Sequence, residues 1–476
     1  MNLFRRIFLS TAVLFSLNHC IPYWEKLHSV SLQDIQKRGV LKAYMAYSQD
    51  NYFIYKDEEM GFEYELLNLF AKEIGVRLEV TPVHDLDTLP YMLNSQDGDI
   101  VASNIAVTKE RQKELIFTEH LVSTRQVLVQ KKKEKAAPGK YVSNAVELIG
   151  KKVHLREKSS FYFRMKDLEN EIGGDIDLAT VPGTVSNEEL IEQVAQGTDV
   201  DYTIADEPIA LINQTYYPDL DVSMPVSFPQ KIAWAVRRNS PEFLKRVNQW
   251  IYKIKGDGTL QAIRKKYYKD QKTVFFDDSK EATKEEKIFE KEKKQGRKRI
   301  SPYDETIRAK SSQIGWDWRL VAAVIYQESK FKPRARSWVG AAGLMQIMPG
   351  TAAAMGLAAG DIFHPEKNIQ AGVKYLGYLD NYWKKVLPNA EERKKFVLAS
   401  YNAGQGHVVD ARSLAAYLGK NPSIWDGNAA SAMLLLSNPA YFNLSVVRHG
   451  YCRGKEPYEY VNIIYRQYSA YKKITE

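Results

Sequence analysis

The chain from position 320 to 349 reads LVAAVIYQESKFKPRARSWVGAAGLMQIMP. Its first part repeats large apolar residues at the spacing of an amphipathic helix: Leu320, Val321, Val324 and Ile325. The pattern predicts a helix that begins near Asp317. Glu328 follows Val321 by seven residues and therefore lies on the apolar face of that helix.

Glu328 is predicted to place a carboxyl group where a charge is costly. Removal from water raises the pKa of a carboxyl group, and a carboxylic acid that is neutral near pH 7 can donate a proton to a leaving oxygen. The alternative is a glutamate at the helix end whose stem packs while its head reaches water or a partner. Periodicity alone favours this second interpretation, and the residues that follow reverse the preference.

The residues downstream of Glu328 form a set of ordered motifs. They are Glu328-Ser329-Lys330, Gly340 to Pro349, Asn368, Gly372, Tyr375-Leu376, Ala399 to Gly404, and Glu456 with Tyr460-Val461. Over positions 301 to 471 the sequence resembles the soluble lytic transglycosylase family, which is related in fold to goose-type lysozyme. The resemblance implies a compact all-α domain.

The same resemblance implies a reaction on the glycan strands of peptidoglycan. It makes Glu328 the acid and base that acts on the β-1,4 bond between N-acetylmuramic acid and N-acetylglucosamine, with closure of a 1,6-anhydro ring by the C6 hydroxyl of the muramyl residue. Ordinary glycosidases need two carboxyl groups, whereas a tethered hydroxyl of the substrate replaces one of them here. A hydrolase of the goose-lysozyme kind and a noncatalytic protein that binds wall and ligand remain alternatives.

Further positions match substrate-lining positions of that family: Ser329, Met345, Gln346, Tyr401, Asn402, Glu456 and Tyr460. Local roles compete with this assignment, since Ser329 could cap its own helix and Asn402 could be a helix C-cap. Tyr460 could orient Glu328, stack on a sugar or pack in the core. No metal and no cofactor are expected, and the sequence contains no HExxH motif.

The region from 36 to about 270 alternates short β-rich segments with amphipathic helical ones, which is typical of an α/β fold. Strands are predicted at 41–45 and 77–80, with a helix at 64–74 between them. Together with Asp97-Gly98-Asp99, Val107 to Arg111 and Asp257-Gly258-Thr259, this region resembles the family 3 extracellular solute-binding proteins. The resemblance implies two α/β lobes around a hinged cleft, with the second lobe at about 131–224.

The resemblance to solute-binding proteins also implies a ligand site. In amino-acid-binding members, the arginine at Arg111 holds the α-carboxylate of the ligand through a bidentate fork, and the aspartate at Asp206 takes the ammonium group. Ser159 and Ser160 match polar positions of the second lobe. Arg111 could instead tie its lobe together, and Asp206 could cap a helix. A free amino acid or a peptide fragment of a muropeptide is the expected ligand, with a regulatory role.

Positions 279–299 are mostly Lys, Glu and Arg, with Ile288 and Phe289 as the only large apolar residues. Such a run cannot bury a core, so it predicts a solvated linker. The predicted fold class is multidomain, with a two-lobed α/β periplasmic-binding-protein-like domain followed by an all-α lysozyme-like catalytic domain. The predicted parts are a signal peptide at 1–20, the solute-binding-like domain at 33–270, the linker at 271–300 and the catalytic domain at 301–476.

The amino terminus has the pattern of a secretory signal. Arg5 and Arg6 precede an apolar run at 7–17 that is too short to span a bilayer comfortably. Cys20 resembles the lipidated cysteine of bacterial lipoproteins, although His19 stands where that motif has a small residue. An ordinary cleaved signal or an uncleaved anchor is the alternative. The expected location is the envelope of a Gram-negative-type bacterium, at the periplasmic face of the outer membrane, through a lipid or a peripheral contact.

Composition excludes several classes of protein. With 44% hydrophobic and 26% charged residues among 476, the chain is globular. A net charge of +9 is a mild bias for this length. No nucleic-acid partner is expected, because basic residues alternate with acidic ones in the linker and no stacking platform is evident. The 2 cysteines predict no disulfide framework.

Overall fold

The computed structural model describes residues 31–48, 51–56, 58–83, 91–93, 98–103, 105, 107, 111–157, 159–182, 185, 187–268, 274–275 and 298–475. Positions 1–20, with Cys20, and most of the linker lie outside these ranges, so the signal, lipidation and linker remain predictions. The chain divides into two compact units. Unit 1 is Met1–Ala46, Glu63–Ser123 and Gln230–Gln261, and unit 2 is Tyr47–Phe62, Thr124–Pro229 and Ala262–Glu476.

Helices and strands alternate through the described residues up to position 268. The helices are α1 (Leu32–Arg38), α2 (Phe62–Glu73), α3 (Ser160–Ile172), α4 (Asn187–Gln196), α5 (Glu207–Tyr216), α6 (Pro241–Gly256) and α7 (Thr259–Tyr268). The strands are β1 (Val40–Ala46), β2 (Phe53–Tyr55), β3 (Glu58–Met60), β4 (Arg77–Val83), β5 (Ile100–Val101), β6 (Leu115–Phe117), β7 (Val122–Thr124), β8 (Gln126–Lys131), β9 (Lys152–Arg156), β10 (Asp177–Val181), β11 (Tyr202–Asp206), β12 (Leu220–Asp221), β13 (Gln230–Ile232) and β14 (Ala235–Arg237).

The described residues beyond this point are mainly helical. The helices are α8 (Asp304–Ser311), α9 (Trp318–Ser329), α10 (Pro349–Ala354), α11 (Pro365–Lys384), α12 (Ala390–Ala403), α13 (Gln405–Tyr417), α14 (Ala430–Leu435), α15 (Pro439–Phe442) and α16 (Lys455–Thr475). Two short strands, β15 (Val274–Phe275) and β16 (Arg336–Ser337), pair in an antiparallel manner. The all-α prediction did not include β16. None of the helices in the described ranges is both long and apolar enough to cross a membrane.

Unit 1 is built around a five-stranded sheet with the order β4-β1-β5-β14-β6. Strand β1 runs parallel to β4 and β5, and β14 is antiparallel to β5 and β6. Large aromatic side chains fill its core, with Trp234 stacked on Trp250 at 5.9 Å between ring centroids. Trp234 Nε1 donates a hydrogen bond of 2.6 Å to the buried Glu63, which satisfies both polar groups.

The part of unit 2 from Thr124 to Pro229, which we call the second lobe, contains a sheet with the order β10-β9-β11-β8-β12. Strand β9 runs parallel to β10 and β11, whereas β8 is antiparallel to β11. Side chains alternate between two buried clusters, with Leu128 in one and Val127 in the other. Because β9 and β11 are parallel, their carboxyl ends lie at the same end of the sheet, where α3 and α5 begin.

The helical part of unit 2 has one continuous core that includes the fully buried Trp383, Phe396 and Trp425. Helix α9 packs against α16, and α12 packs against both α11 and α16. Helix α9 begins next to Asp317, as predicted. Asp317 is its N-cap, because its carboxylate accepts a 2.9 Å hydrogen bond from the backbone N–H of Arg319.

Two predicted helix boundaries differ from the observed ones. Ser301 followed by Pro302 and Asp304 predicts a helix start, with Ser301 as the N-cap and Pro302 in the first turn, but α8 begins at Asp304. The carboxylate of Asp304 accepts hydrogen bonds from the backbone and the hydroxyl of Ser301, so Ser301 is held outside the helix. Asn402 with Gly404 just beyond it predicts that a helix ends at Asn402. Helix α12 ends one residue later, at Ala403, with Gly404 as its C-cap at φ 101°.

A short antiparallel hairpin, formed by β2 and β3, belongs to unit 2. We call Phe53–Met60 the hairpin. Tyr52 donates a 2.6 Å hydrogen bond to Glu59 beside the two strands. Gly61 follows at φ 134°, and a Cβ here would lie 2.0 Å from the carbonyl oxygen of Asn51, so only glycine fits this position.

Candidate active site

Glu328 lies in the last turn of α9, and its side chain is only 8% exposed. Tyr460 of α16 donates a 2.6 Å hydrogen bond to Glu328 Oε1. Lys56 of the hairpin places its Nζ 3.4 Å from Glu328 Oε2. The sequence predicted apolar surroundings for this carboxyl group. The structure instead places a phenol and an ammonium group next to it.

Two buried tyrosines border Glu328. Burial raises the pKa of Tyr460 well above its usual value, and the charge of Glu328 raises it further. Burial also raises the pKa of Tyr401 well above its usual value, and the charge of Glu328 adds to this effect. Both phenols therefore keep their protons, and Tyr460 acts as a donor that fixes the position of the carboxyl group.

A cavity of about 370 Å³ opens beside Glu328. Its lining in unit 2 includes Gln346, Asn402, Glu456, Tyr460 and Trp338, together with Tyr55 and Lys56 of the hairpin. Gln346 Oε1 and Asn402 Oδ1 are buried acceptors without a hydrogen-bond partner. Since buried acceptors normally find a donor, these two oxygens are suited to hydroxyl or amide groups of a bound molecule.

Gln346 is held in a strained backbone conformation, with φ 45°. Its Nε2 donates to the carbonyl oxygens of Ala335 at 2.9 Å and Gly343 at 2.8 Å. Both donor positions of the amide are thereby used within the protein. This arrangement leaves Oε1 as the one atom of the amide that faces an incoming ligand.

The loop that carries Gln346 is fixed by Asn368 of α11. Asn368 Oδ1 accepts from the backbone N–H of Met345 at 2.8 Å, and its Nδ2 donates to the carbonyl oxygen of Ile362 at 2.8 Å. Tyr401 donates to the carbonyl oxygen of Met345 at 2.7 Å. These bonds immobilise the loop beside the cavity, so Gln346 is presented in one orientation.

The predicted substrate residues fall into two groups. Gln346, Asn402, Glu456 and Tyr460 line the cavity with Glu328. The structure does not bring the other three to its wall: Ser329, Met345 and Tyr401. The hydroxyl of Ser329 donates to the carbonyl oxygen of Ile325 at 3.1 Å, as a helix residue with an internal hydrogen bond does. Met345 is fully buried. Tyr401 donates a hydrogen bond to the carbonyl oxygen of Met345 and so holds the loop that carries Gln346.

The hairpin enters the cavity, a feature that the sequence analysis missed. The backbone N–H of Lys56 donates to the carbonyl oxygen of Ala403 at 3.1 Å. His407 Nε2 lies 2.8 Å from the carbonyl oxygen of Ile54. Burial raises the pKa of Tyr55 well above its usual value, and the charges of Glu456 and Glu328 add to this effect. No local signal could reveal these contacts, because 272 residues separate Lys56 from Glu328.

The second lobe also reaches the cavity. Tyr216, at the end of α5, lines it and forms a hydrogen bond with Glu456. The guanidinium carbon of Arg453 lies 3.3 Å from the centre of the Tyr216 ring, and Arg453 Nε lies 3.9 Å from Glu456 Oε1. Glu456 is therefore engaged by two partners, whereas the carboxyl group of Glu328 faces the hairpin and the cavity.

The four predicted ligand residues of the amino-terminal region fall into both units. Arg111 begins a 3₁₀ turn in unit 1 and is half-buried. Asp206, the last residue of β11, precedes α5 in unit 2 without a side-chain capping bond to it. Ser159 caps α3, since its hydroxyl accepts from the N–H of Tyr162 at 3.3 Å, and Ser160 is the first residue of that helix. In the described ranges no group of three or more His, Cys, Asp or Glu side chains could hold a metal ion.

Two family models match this chain. The model of the transglycosylase SLT domain matches residues 305–424, and that of the bacterial extracellular solute-binding proteins, family 3, matches residues 44–270. The multidomain fold class is thereby confirmed: an α/β part of the solute-binding type precedes a helical part of the transglycosylase type.

The chain is similar along nearly its whole length to curated relatives. It is 35% identical over 444 residues to the membrane-bound lytic murein transglycosylase F of Desulfosudis oleivorans, which covers 93% of this chain and 92% of the relative. The protein of the same name from Aeromonas hydrophila is 30% identical over 468 residues, 97% of this chain and 87% of the relative. A solved ancestral cationic amino acid solute-binding protein matches 50% of this chain and 99% of its own, with 25% identity and a TM-score of 0.43. The chain belongs to the membrane-bound lytic murein transglycosylase F family.

Proposed function

We propose that this protein is a peptidoglycan lytic transglycosylase that cleaves the β-1,4 bond between N-acetylmuramic acid and N-acetylglucosamine. The observation that carries this proposal is the position of Glu328, a largely buried carboxyl group at a sugar-sized cavity with Tyr460 as its hydrogen-bond donor. Membership of the family supports the same activity.

The proposed reaction uses Glu328 twice. Its carboxylic acid first donates a proton to the glycosidic oxygen, and the bond between that oxygen and the anomeric carbon breaks. The C6 hydroxyl of the muramyl residue then attacks the anomeric carbon, and the Glu328 carboxylate accepts the hydroxyl proton. The product is a 1,6-anhydromuramyl end, and Glu328 returns to its starting state.

The other cavity residues have binding roles in this proposal. Gln346 Oε1 and Asn402 Oδ1 accept hydrogen bonds from sugar hydroxyls or from the N–H of an acetamido group. Tyr460 orients Glu328 and Glu456 contributes to the cavity wall. Glu456 is held in the cavity wall by Tyr216 and Arg453, whereas Glu328 is the carboxyl group to which Tyr460 donates its hydrogen bond.

Digestion of purified sacculi tests the activity. Mass spectrometry of the products separates 1,6-anhydro ends from reducing ends, because the two differ by one water. We expect anhydro ends from the wild type and none from Glu328→Gln, which keeps the size of the side chain and removes the transferable proton. Reducing ends would instead support the goose-lysozyme-like hydrolase. Unchanged digestion by Glu328→Gln would support a noncatalytic role for the residue.

We further propose that the solute-binding-like part senses an amino acid or a muropeptide fragment and controls access to Glu328 through the hairpin. The hairpin supports this because it places Lys56 Nζ 3.4 Å from Glu328 Oε2, at the cavity in which the glycan is proposed to bind. Helix α5 supports it as well, since Asp206 adjoins one end of this helix while Tyr216 at the other end lines the cavity.

The regulatory proposal predicts that a ligand changes the rate of glycan cleavage by the full chain. Candidate amino acids and muropeptides are added to the wild type and to Asp206→Asn during digestion of sacculi. A rate that responds to ligand in the wild type and not in Asp206→Asn is expected. Equal rates with and without every candidate would remove the regulatory proposal and leave the catalytic one intact.

We place the protein in the envelope of a Gram-negative-type bacterium, where its proposed substrate is found. The relatives named membrane-bound lytic murein transglycosylase F support this location. Attachment to the periplasmic face of the outer membrane, by lipidation of Cys20 or by a peripheral contact, is part of the proposal. Fractionation of cells that produce the wild type or Cys20→Ser distinguishes the two forms of attachment.

A further inference from the structure

The wall of the cavity beside Glu328 includes an aromatic side chain that takes no part in the proton transfer, Trp338. It directly follows β16 and is half-buried. A tryptophan offers a large flat apolar surface together with one hydrogen-bond donor, its indole N–H. These properties suit a ligand that has one apolar face and a polar rim.

The backbone around Trp338 forms a tight turn. The N–H of Ser337 donates to the carbonyl oxygen of Ala341 at 2.8 Å, and the N–H of Ala341 donates to the hydroxyl of Ser337 at 3.0 Å. The N–H of Gly340 donates to the carbonyl oxygen of Ser337 at 3.0 Å. Ser337 is also paired with Val274 across the two short strands. Trp338 is therefore carried by a backbone that is fixed on both sides, as a precise binding contact requires.

A second aromatic residue, Tyr267, holds the indole of Trp338 in place. The two ring centroids are 5.7 Å apart and the ring planes meet at 82°, which is an edge-to-face contact. Tyr267 is itself fixed, because it is fully buried and its hydroxyl accepts a 3.2 Å hydrogen bond from the backbone N–H of Gly61. Perpendicular rings meet over at most one face, so at least one face of the indole lies outside this contact.

A sugar ring of the peptidoglycan type has the two kinds of surface that this wall offers to bind. One face of a pyranose with equatorial substituents consists mainly of C–H groups, and its rim carries hydroxyl and acetamido groups. The C–H face packs on an aromatic ring by apolar contact, which leaves the rim available for hydrogen bonds. Gln346 and Asn402 supply acceptors in the same lining.

We propose that Trp338 is the platform on which an N-acetylglucosamine unit of the glycan strand stacks beside Glu328. The inference rests on the glycan substrate proposed above. The muramyl residue carries a lactyl group on C3, where N-acetylglucosamine has only a hydroxyl, so the sugar without the branch is the one that lies flat on a half-buried ring. The contact supplies binding and not proton transfer, so its loss raises KM and leaves kcat close to the wild-type value.

Steady-state digestion of soluble, uncross-linked glycan strands by the full chain tests this role. Trp338→Phe keeps a flat aromatic ring, so its KM should stay within about threefold of the wild-type value. Trp338→Leu keeps an apolar side chain but has no flat ring, so its KM should rise about tenfold while kcat stays nearly unchanged. Tyr417→Leu is the matched control, because Tyr417 is an exposed aromatic residue of α13 outside the described lining of this cavity.

Binding of triacetylchitotriose, a trimer of β-1,4-linked N-acetylglucosamine, measures the contact apart from the reaction. Glu328→Gln is the host protein, so that the trimer stays intact. Calorimetric titration should give a Kd about tenfold higher when Trp338→Leu is added to this host. The trimer should also change the tryptophan fluorescence of the host, and adding Trp338→Phe should abolish most of that change. Thermal midpoints show whether each variant is folded.

Equal KM values for Trp338→Leu and Trp338→Phe would overturn the inference, since any apolar side chain would then serve. Failure of the trimer to bind, or a fluorescence change that persists with Trp338→Phe, would overturn it too. Cleavage of glycan with a KM that is independent of Trp338 would remove this inference alone. Trimer binding that depends on Trp338, without release of anhydro ends by the wild type, would remove the proposed catalytic activity alone.

Discussion

Replacing Lys56 by methionine removes the positive charge beside Glu328 and keeps the length of the side chain. The ammonium group of Lys56 lies 3.4 Å from Glu328 Oε2 in the cavity where the glycan is proposed to bind. While the hairpin occupies the cavity, Lys56→Met leaves Glu328 without its countercharge, which destabilises that arrangement. The substitution therefore favours an arrangement in which the hairpin has left the cavity, and we expect the rate of glycan cleavage to rise.

The structure sets the size of this effect. The side chains of Lys56 and Glu328 are 10% and 8% exposed, so the ion pair is buried. Removing one partner of a buried ion pair costs about 3 kcal/mol, because the other charge stays in the protein without compensation. A change of this size shifts the equilibrium toward the vacated cavity by about 100-fold. The rate can rise only until the cavity is free of the hairpin in all molecules, so the fraction of wild-type molecules with a free cavity limits the gain. We expect an increase of roughly 10- to 100-fold.

The assay is the initial rate at which anhydromuropeptides are released from sacculi in the absence of added ligand. Lys56→Arg is the matched control, because it retains the positive charge next to Glu328 and should keep the rate near that of the wild type. A Lys56→Met rate at or below the wild-type rate, with an unchanged thermal midpoint, would refute the reasoning about the hairpin.

Three further predictions concern the residues that support Glu328. Tyr460→Phe removes a charge-assisted hydrogen bond to Glu328, so kcat for glycan cleavage should fall by roughly 10- to 100-fold while the thermal midpoint stays close to that of the wild type. Burial raises the pKa of Asp317, but hydrogen bonds from the neighbouring arginine outweigh it and lower that pKa to about 2. Because the folded-state pKa is lowered, this stabilisation is present above the unfolded pKa of 3.8 and is lost as the pH falls toward 2. Asp317→Asn should lower the free energy of unfolding by about 1 kcal/mol at neutral pH. The variant should also lose less stability than the wild type on acidification. At Gly372 an added Cβ would lie 2.2 Å from the sulfur of Met345, so Gly372→Ala should lower stability by about 1–3 kcal/mol in chemical denaturation.

The sequence contained the local signals for much of the catalytic part. The spacing of apolar residues before Glu328 predicted α9 and the face from which the carboxyl group projects. The start of α8 was predicted two residues too early, because the carboxylate of Asp304 accepts hydrogen bonds from Ser301 and holds it outside the helix.

The predicted site residues show where motif reasoning ends. Gln346, Asn402, Glu456 and Tyr460 lie around the cavity, but Ser329 turns its hydroxyl toward the carbonyl oxygen of Ile325. A motif records which residues occur near a site and does not distinguish those that face it from those that support it. The direction of each side chain depends on packing and on hydrogen bonds that the local pattern leaves open.

The long-range contacts could not be predicted from the residues alone. Lys56 is one of many lysines, and only the fold brings it to Glu328. The partner of this charge is set by topology and not by local sequence.

Digestion of sacculi in water enriched in oxygen-18 tests the central claim most directly. Ring closure by the C6 hydroxyl transfers no oxygen from solvent, so the muramyl ends released by the wild type should be anhydro ends without the heavy isotope. Hydrolysis would place one solvent oxygen on the anomeric carbon. Reducing muramyl ends that carry oxygen-18 as the main product would contradict the proposal that Glu328 serves as both acid and base in an intramolecular ring closure.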